Sequence, residues 1–388
     1  MSHILVLNAG SSSIKFGLFT PGDAPGLIGG GMVERAHGDV VMHVKDGAGY
    51  RLMDTRLPDP GSPAHDMALR AILQALETHF GHVEVATVGH RIVHGGLSFA
   101  APVELTEDAL ETLAGYVSFA PLHQPHNLAG VRAAQAAFPR ARQIGCFDTA
   151  FHRNHPFVND TFALPRAYYD RGVRRYGFHG LSYDYITGHL ADTAPDLHAG
   201  RVVVAHLGNG ASMCGIRAGR SIASSMGFTA LDGLPMGTRS GQIDPGVLLY
   251  LIEQEGMTPA EVSDLLNRRS GLLGMSGISA DMRTLLASDN PRAREAIDYF
   301  TFRIRRELGG MAAALEGIDA LVFTGGIGEN AAQIRAEVCA GLGWIGIEVD
   351  ETANADGATR ISPQGAAVEV LVIPTNEELV IARAAARV

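Results

Sequence analysis

The sequence predicts an α/β protein of two domains, and three observations carry that expectation. The chain has 388 residues, more than one ordinary core accommodates. Short β-type runs alternate with segments whose apolar residues recur every three or four positions. One plan, a strand, a Gly-rich turn and a second strand, opens the chain and recurs at Val203.

Ile4 to Leu7 and Ile14 to Phe19 read as two strands joined by a Gly/Ser turn, a hairpin. Strand-like sequence continues through Val44, and Asp66 to Phe80 then sets Met67, Leu69, Ile72, Leu73 and Leu76 on one helical face. A strand at Val83 to Val88, helices near Glu107 to Tyr116 and Asn127 to Ala137, and a strand at Gln143 to Phe147 complete the first cycle. The second begins with a β run at Arg201 to Ala205, the turn His206-Leu-Gly-Asn-Gly210 and a strand reaching Ile216. Leu5 to Gly10 overlays Val203 to Gly208, with Gly17 on Gly215, so a shared plan is expected. Proline in the first turn opens a helix from Pro291 to Leu315. Ala320 to Phe323 is a strand, followed by a glycine turn into a helix with Asn330 as its N-cap. Asp350 to Gly365 is rich in turn formers and reads as loop; Val368 to Ile373 and Glu377 to Arg387 give a closing strand and helix.

A formal charge of -10 without a basic stripe argues against a nucleic-acid partner. Cys146, Cys214 and Cys339 are odd in number and far apart, which disfavours a disulfide or zinc framework and suits a reducing cytoplasm. No apolar run approaches membrane-spanning length and no basic-plus-apolar leader opens the chain, so neither secretion nor membrane insertion is expected.

Three turns are built to approach phosphate. Asn8-Ala-Gly-Ser-Ser-Ser-Ile-Lys15 offers backbone N–H groups and the hydroxyls of Ser11 and Ser13, with Lys15 as a point charge. It lacks the G-x-x-x-x-G-K-[ST] order of a P-loop, and a plain Gly/Ser hairpin would account for it equally. Lys15 and Lys45 are nevertheless the only lysines in the chain. Gly208-Asn-Gly210 and Gly325-Gly-Ile-Gly-Glu-Asn330 are the other two, the last between a strand and a helix. Gly341-Leu-Gly-Trp-Ile-Gly346 fits G-x-G-x-x-G but follows a helix and leads into a β run, the reverse of a dinucleotide fingerprint. His123/His126 and His152/His155 have metal-like spacing without a third ligand. Arg91 and Arg239 stand on Gly-flanked turns that suit anion recognition. Asp148 ends a strand, and His179 lies in the constrained turn Tyr176-Gly-Phe-His-Gly180.

Taken in order, Leu7 to Lys15, Gly89 to Gly96, Phe147 to His152, Tyr176 to Gly180, His206 to Gly210, Met236 to Arg239, Phe323 to Asn330 and Thr375 to Glu378 closely resemble the acetate kinase family over almost the whole chain. The resemblance implies two ribonuclease H-like domains of the actin, Hsp70 and sugar-kinase fold with the active-site cleft between them, and a homodimer. It implies an N-terminal domain of residues 1–149 joined by the C-terminal helix of residues 375–388, and a nucleotide-binding and dimerisation domain of residues 150–374. The activity implied is reversible phosphoryl transfer from ATP to acetate, giving acetyl phosphate and ADP. Carried over by position, ATP is expected at Ser11, Ser13, Lys15, His206, Leu207, Gly208, Asn209, Gly210, Asp281, Met282, Arg283, Gly326, Ile327, Gly328, Glu329 and Asn330. Mg2+ or Mn2+ is expected at Asn8 and Glu377, the substrate at Arg91, Val93, Leu122 and Phe178, and the catalytic group is Asp148, His179 and Arg239.

The chemistry is coherent, because phosphoryl transfer needs positioning and charge neutralisation more than covalent help. A carboxylic acid with a pKa of roughly 4 to 5 is ionised at neutral pH and needs no general base, so Asp148 is expected to orient Arg91 or a metal-bound water. The chain departs from the family pattern at Leu181, Tyr183, Gln124 and Ala230, where threonine, histidine, asparagine and proline are more usual. Ala230 leaves propionate or butyrate as an alternative acceptor. From a different class, an actin-like or Hsp70-like ATPase would share the nucleotide turns and bind a protein partner, without needing Arg91, Arg239 and His179.

Overall fold

The computed structural model describes residues 2–9, 13–36, 39–58 and 65–388. Its strands are β1 (Ser2–Ala9), β2 (Ser13–Phe19), β3 (Leu27–Ala36), β4 (Asp39–Asp46), β5 (Arg51–Leu57), β6 (Glu84–Ile92), β7 (Val103–Glu104), β8 (Arg142–Phe147), β9 (Arg201–Leu207), β10 (Ala211–Arg217), β11 (Arg220–Ser224), β12 (Ala320–Thr324) and β13 (Glu369–Val372). Its helices are α1 (His65–Phe80), α2 (Glu107–Ala114), α3 (Gln124–Ala137), α4 (Phe157–Asp160), α5 (Arg166–Asp170), α6 (Gly180–Thr193), α7 (Pro195–Ala199), α8 (Pro245–Glu253), α9 (Pro259–Arg268), α10 (Gly271–Ser276), α11 (Met282–Leu286), α12 (Pro291–Leu315), α13 (Gly325–Asn330), α14 (Ala332–Cys339), α15 (Glu351–Ala355) and α16 (Glu377–Arg387). The chain divides into one unit of residues 1–153 and 376–388 and another of residues 154–375.

The first unit is built on a sheet of order β5-β4-β3-β2-β1-β6-β8-β7. β1 to β5 form an antiparallel meander, whereas β6 and β8 extend β1 in parallel. Leu5, Leu7, Phe16, Leu18 and Val88 bury one face of the sheet against Leu69, Ile72 and Leu76 of α1 and Ala134 of α3. α16 covers the strands from the other side. A Cβ at Gly89 of β6 would come within 2.5 Å of the Ile381 side chain, so this approach requires glycine. That packing carries the start of α16, and with it Glu377, to the sheet.

The second unit repeats the central plan in a sheet of order β11-β10-β9-β12-β13. β9, β10 and β11 are antiparallel, and β12 and β13 join β9 in parallel, as β6 and β8 join β1. Val202 to Ala205 and all of β12 are buried, the continuous apolar run expected of parallel strands covered on both faces. α12 starts at Pro291 behind an Asn290 N-cap and buries Ala293, Ala296, Ile297, Phe300, Ile304, Leu308, Met311 and Leu315, a helical stripe. Truncating Phe300 to alanine would cost about 3–5 kcal/mol.

Three details differ from the sequence reading. Asn330 is not an N-cap: residues 325 to 330 are themselves helical, Asn330 Nδ2 donates to the Gly326 carbonyl, and α14 begins after Ala331. The overlay of the two hairpins slips by one position in the second strand, since Gly17 pairs with Val6 but Gly215 with Val203. Leu207 pairs with Ala211, four positions on, whereas Ala9 pairs with Ile14, five positions on. Within the stretch from Asp350 to Gly365, Asp350 accepts from Ala353 N and caps the short α15.

Candidate active site

In the first unit the parallel strands β1, β6 and β8 end side by side, placing Asn8, Arg91 and Asp148 together. This is where open α/β sheets hold ligands. Asp148 is 1% exposed, and its two oxygens accept from Arg91 Nε at 2.9 Å and Arg91 Nη2 at 2.6 Å. Arg91 Nη1 donates to Asn8 Oδ1 at 3.2 Å, and Asn8 Nδ2 donates to Glu377 Oε2 at 3.2 Å. Glu377 lies 4.0 Å from Arg91 Nε. Burial acts to lower the Arg91 pKa, but Asp148, Glu377 and Glu378 outweigh it and raise it, so the cation is permanent. A guanidinium has five N–H groups. With Nε, Nη1 and Nη2 each used once among the described residues, Nη1 and Nη2 each keep one N–H for a carboxylate or phosphate.

Val93 is buried just after β6, its N–H donating to Asn127 Oδ1 at 2.9 Å while Asn127 Nδ2 donates to the Ala9 carbonyl at 2.7 Å. Asn127 therefore ties the end of β1 to the loop after β6. Gln124 does similar work on that loop, accepting from His94 N and donating to the His94 and Leu113 carbonyls. Leu122 is half-buried ahead of α3. Lys15 is exposed on β2 directly opposite Asn8, and Ser13 begins that strand. Ser11 lies outside the described residues.

The second unit holds the other predicted residues. His179 has φ +57°, a left-handed conformation that a side-chain-bearing residue adopts at a cost of about 1–2 kcal/mol. It follows the buried Phe178 and precedes α6. Its ring stacks on His206 with centroids 4.2 Å apart. Arg239 Nη1 donates to the Ala230 carbonyl at 2.7 Å, which aims the guanidinium. A Cβ at Gly210 would stand 3.3 Å from His179 Nε2 and 3.5 Å from Arg239 Nη2, so the two side chains converge where glycine leaves room.

Beyond that turn lies a cavity of about 780 Å³ lined by Gly208, Asn209, Asp281, Met282, Arg283, Gly326, Ile327 and Asn330, with Ala280, Leu286 and Ala331. Three segments far apart in sequence thus meet around one space within the range of ligand sites. Asp281 caps α11 by accepting from Arg283 N and pairs with the exposed Arg283 guanidinium at 2.6 Å, which holds its carboxyl below the usual range. Glu329, Gly328, Gly210, Leu207 and His206 are not in the lining. Leu207 is fully buried, and Glu329 Oε1 accepts from Gly325 N at 2.9 Å and Thr375 N at 3.2 Å, bracing the turn. Gly325 itself has φ +77° with a Cβ position 2.8 Å from the Leu207 carbonyl, so no other residue fits.

Sequence reasoning missed the braces. Arg335, 1% exposed, donates to the carbonyls of Gly328 and Glu329 and to Asn354, fixing the end of α13. Ser212 and Ser182 hold the ring nitrogens of His179 and His206 at 2.8 Å each. The available signal was a polar residue inside an otherwise apolar segment, as Ser212 is in β10.

A sequence profile of the acetokinase family matches residues 3–383. The chain belongs to the acetokinase family. It is 55% identical over 388 residues to the acetate kinase of Methylocella silvestris, covering 98% of this chain and 96% of that one. It is 49% identical over 395 residues to the acetate kinase of Rhizobium meliloti, covering 99% and 97%. Among solved structures it resembles Porphyromonas gingivalis acetate kinase (TM-score 0.85, 38% identity, 98% of each chain) and a propionate kinase from Francisella tularensis (TM-score 0.90, 37% identity, 99% of each chain). As an acetokinase the chain is a phosphotransferase, and its two mixed sheets are the two-domain actin and sugar-kinase-like architecture.

Proposed function

We propose that this acetokinase transfers the γ-phosphoryl group of ATP to acetate, reversibly, giving acetyl phosphate and ADP. The observation that supports this most directly is the convergence of His179 Nε2 and Arg239 Nη2 at Gly210, next in sequence to Gly208 and Asn209 of the cavity lining. Phosphoryl transfer spreads charge over the equatorial oxygens of the moving group, and donors fixed in advance are what stabilise it. Arg91, held by Asp148, offers its outer edge to an anionic acceptor already ionised at neutral pH. Lys15 supplies charge to the transferring phosphate while the second unit holds ATP.

Asn8 and Glu377 would hold Mg2+ or Mn2+. An amide oxygen and a carboxylate are hard donors, and Mg2+ characteristically takes one or two protein oxygens and leaves the rest to phosphate and water. No group of three or more His, Cys, Asp or Glu side chains suited to a metal occurs among the described residues, so a dedicated protein cage is not the arrangement offered. A bound divalent ion would neutralise phosphate charge.

Propionate is the second reading, favoured by Ala230 beside Arg239, since one methylene changes discrimination by only about 1–3 kcal/mol. Hydroxylamine capture of acyl phosphate from acetate, propionate and butyrate separates the readings. The expected order is acetate first, and no acyl phosphate from any of the three overturns the proposal.

A homodimer is proposed with α8 in its interface. That helix buries none of its residues and exposes Val247, Leu249, Tyr250 and Ile252, a face suited to a second copy. Light scattering should give twice 41.0 kDa, and the monomer mass would reject it. Cytoplasmic residence is proposed from the buried free thiols of Cys146, Cys214 and Cys339. No helix is long and apolar enough to cross a membrane among the described residues.

A further inference from the structure

We infer that Tyr183 and Ser212 are positioning residues that hold His179 in the tautomer with its proton on Nε2, making that nitrogen a hydrogen-bond donor to the transferring phosphoryl group. This rests on the role of His179 proposed above. Ser212 is fully buried in β10, and its Oγ lies 2.8 Å from His179 Nδ1 and 2.5 Å from the hydroxyl of Tyr183, itself fully buried in α6. A serine hydroxyl has one hydrogen and two lone pairs. The phenol is assigned as donor in this short O–H···O contact, a phenol being intrinsically more acidic than an aliphatic alcohol. Burial, with Cys214 nearby, pushes the Tyr183 pKa well above its ordinary value, so the phenol keeps the proton it donates.

With one Ser212 lone pair taken by Tyr183, His179 Nδ1 is the one remaining partner of the buried Ser212 Oγ among the described residues, and the serine hydrogen goes there rather than be left unpaired. A neutral imidazole that accepts at Nδ1 carries its proton on Nε2. Nε2 is the nitrogen at the Gly210 position, beside Arg239 Nη2. His206 repeats the device: its Nδ1 lies 2.8 Å from Ser182 Oγ, and its ring stacks on His179 at 24° between planes, which restrains a ring flip.

The test is nitrogen-15 NMR of full-length, ligand-free protein labelled at its histidine rings, with His179→Asn to assign the signals. The expected spectrum shows His179 protonated on Nε2. Ser212→Ala and Tyr183→Phe should each bring the two ring nitrogens toward tautomer averaging and lower kcat about tenfold, the equivalent of one hydrogen bond, with KM for ATP unchanged. Tyr183→His should restore part of the loss. A wild-type ring protonated on Nδ1 overturns the inference without any variant having to fold, as do both variants keeping the wild-type tautomer and turnover. If instead His179→Asn turns over normally, the role of His179 fails while the tautomer measurement stands apart.

Discussion

Replacing Asp148 with asparagine tests the division between positioning and proton transfer. The carboxylate grips Arg91 at 2.9 and 2.6 Å and is 1% exposed, so the change acts on a defined, dry contact. Asparagine keeps one oxygen for one guanidinium N–H and sets an amide N–H₂ against the other. One charge-assisted bond, about 1.5–3 kcal/mol, is lost. If that loss is felt in the transition state, kcat/KM falls by about 10- to 150-fold. Stability should drop by about 3 kcal/mol, the lower end for breaking a buried pair. Glu377, 4.0 Å away, still faces Arg91 and limits the damage. The assay is initial-rate acetyl phosphate formation from pH 5.5 to 9, with urea unfolding alongside. Because the acceptor is already ionised, the variant should show a lower profile of unchanged shape. Loss of the limb in which the rate rises with pH would identify Asp148 as a general base and refute the reasoning.

His179→Ala and Arg239→Ala should each lower kcat by about 10² to 10³, the effect of removing one preorganised donor, and near-normal turnover in stopped assays would contradict their placement. Lys15→Ala should reduce turnover and leave ATP affinity by calorimetry nearly intact, whereas lost nucleotide binding with unaltered chemistry would reverse the assignment. Burial lowers the pKa of His90 to about 4 despite the Gln143 hydrogen bond, and burial with Arg153 nearby lowers that of His94 to about 3. Both are neutral in the fold, so their contribution is complete above the unfolded value near 6.5 and is lost as pH falls toward 4 and 3; at pH 5 each costs about 2 kcal/mol. Urea titrations at pH 7.5 and 5.0 should show a smaller loss for His90→Gln than for the wild type, and equal losses would exclude His90 as a source.

Elements with a strong period and clear ends were legible: α12 and α16 have the bounds expected from Pro291 to Leu315 and from Glu377 to Arg387. The first hairpin was equally plain, because Gly and Ser separate two apolar runs. Asn330 misled because a residue suited to an N-cap also satisfies a helix end, and nothing local tells which carbonyl its amide will meet. The candidate site was legible where function demands unusual residues, such as Gly210 or Arg91. Its supports were not. Asn127, Gln124 and Arg335 reach across as many as 118, 30 and 19 residues of sequence respectively, through side-chain hydrogen bonds that leave no periodic trace.

The repeated sheet plan explains how one design holds two chemistries. β6 and β8 occupy in the first sheet the places of β12 and β13 in the second. In each, one carboxylate ties the two strand ends. Asp148, after β8, binds the Arg91 side chain of β6, while Glu329 binds the backbone N–H groups of Gly325 after β12 and Thr375 after β13. The first tie fixes a cation with donors to spare, which suits a small anion. The second spends the carboxylate on backbone and keeps its turn free of side chains, with Gly325 at φ +77°, which suits the close approach of a large ligand. The expected consequence is asymmetric: Glu329→Gln should weaken ATP binding with little effect on KM for acetate, and Asp148→Asn should do the opposite. Steady-state titration of each substrate would show it, and a variant that shifted both equally would deny that the two ties serve different ligands.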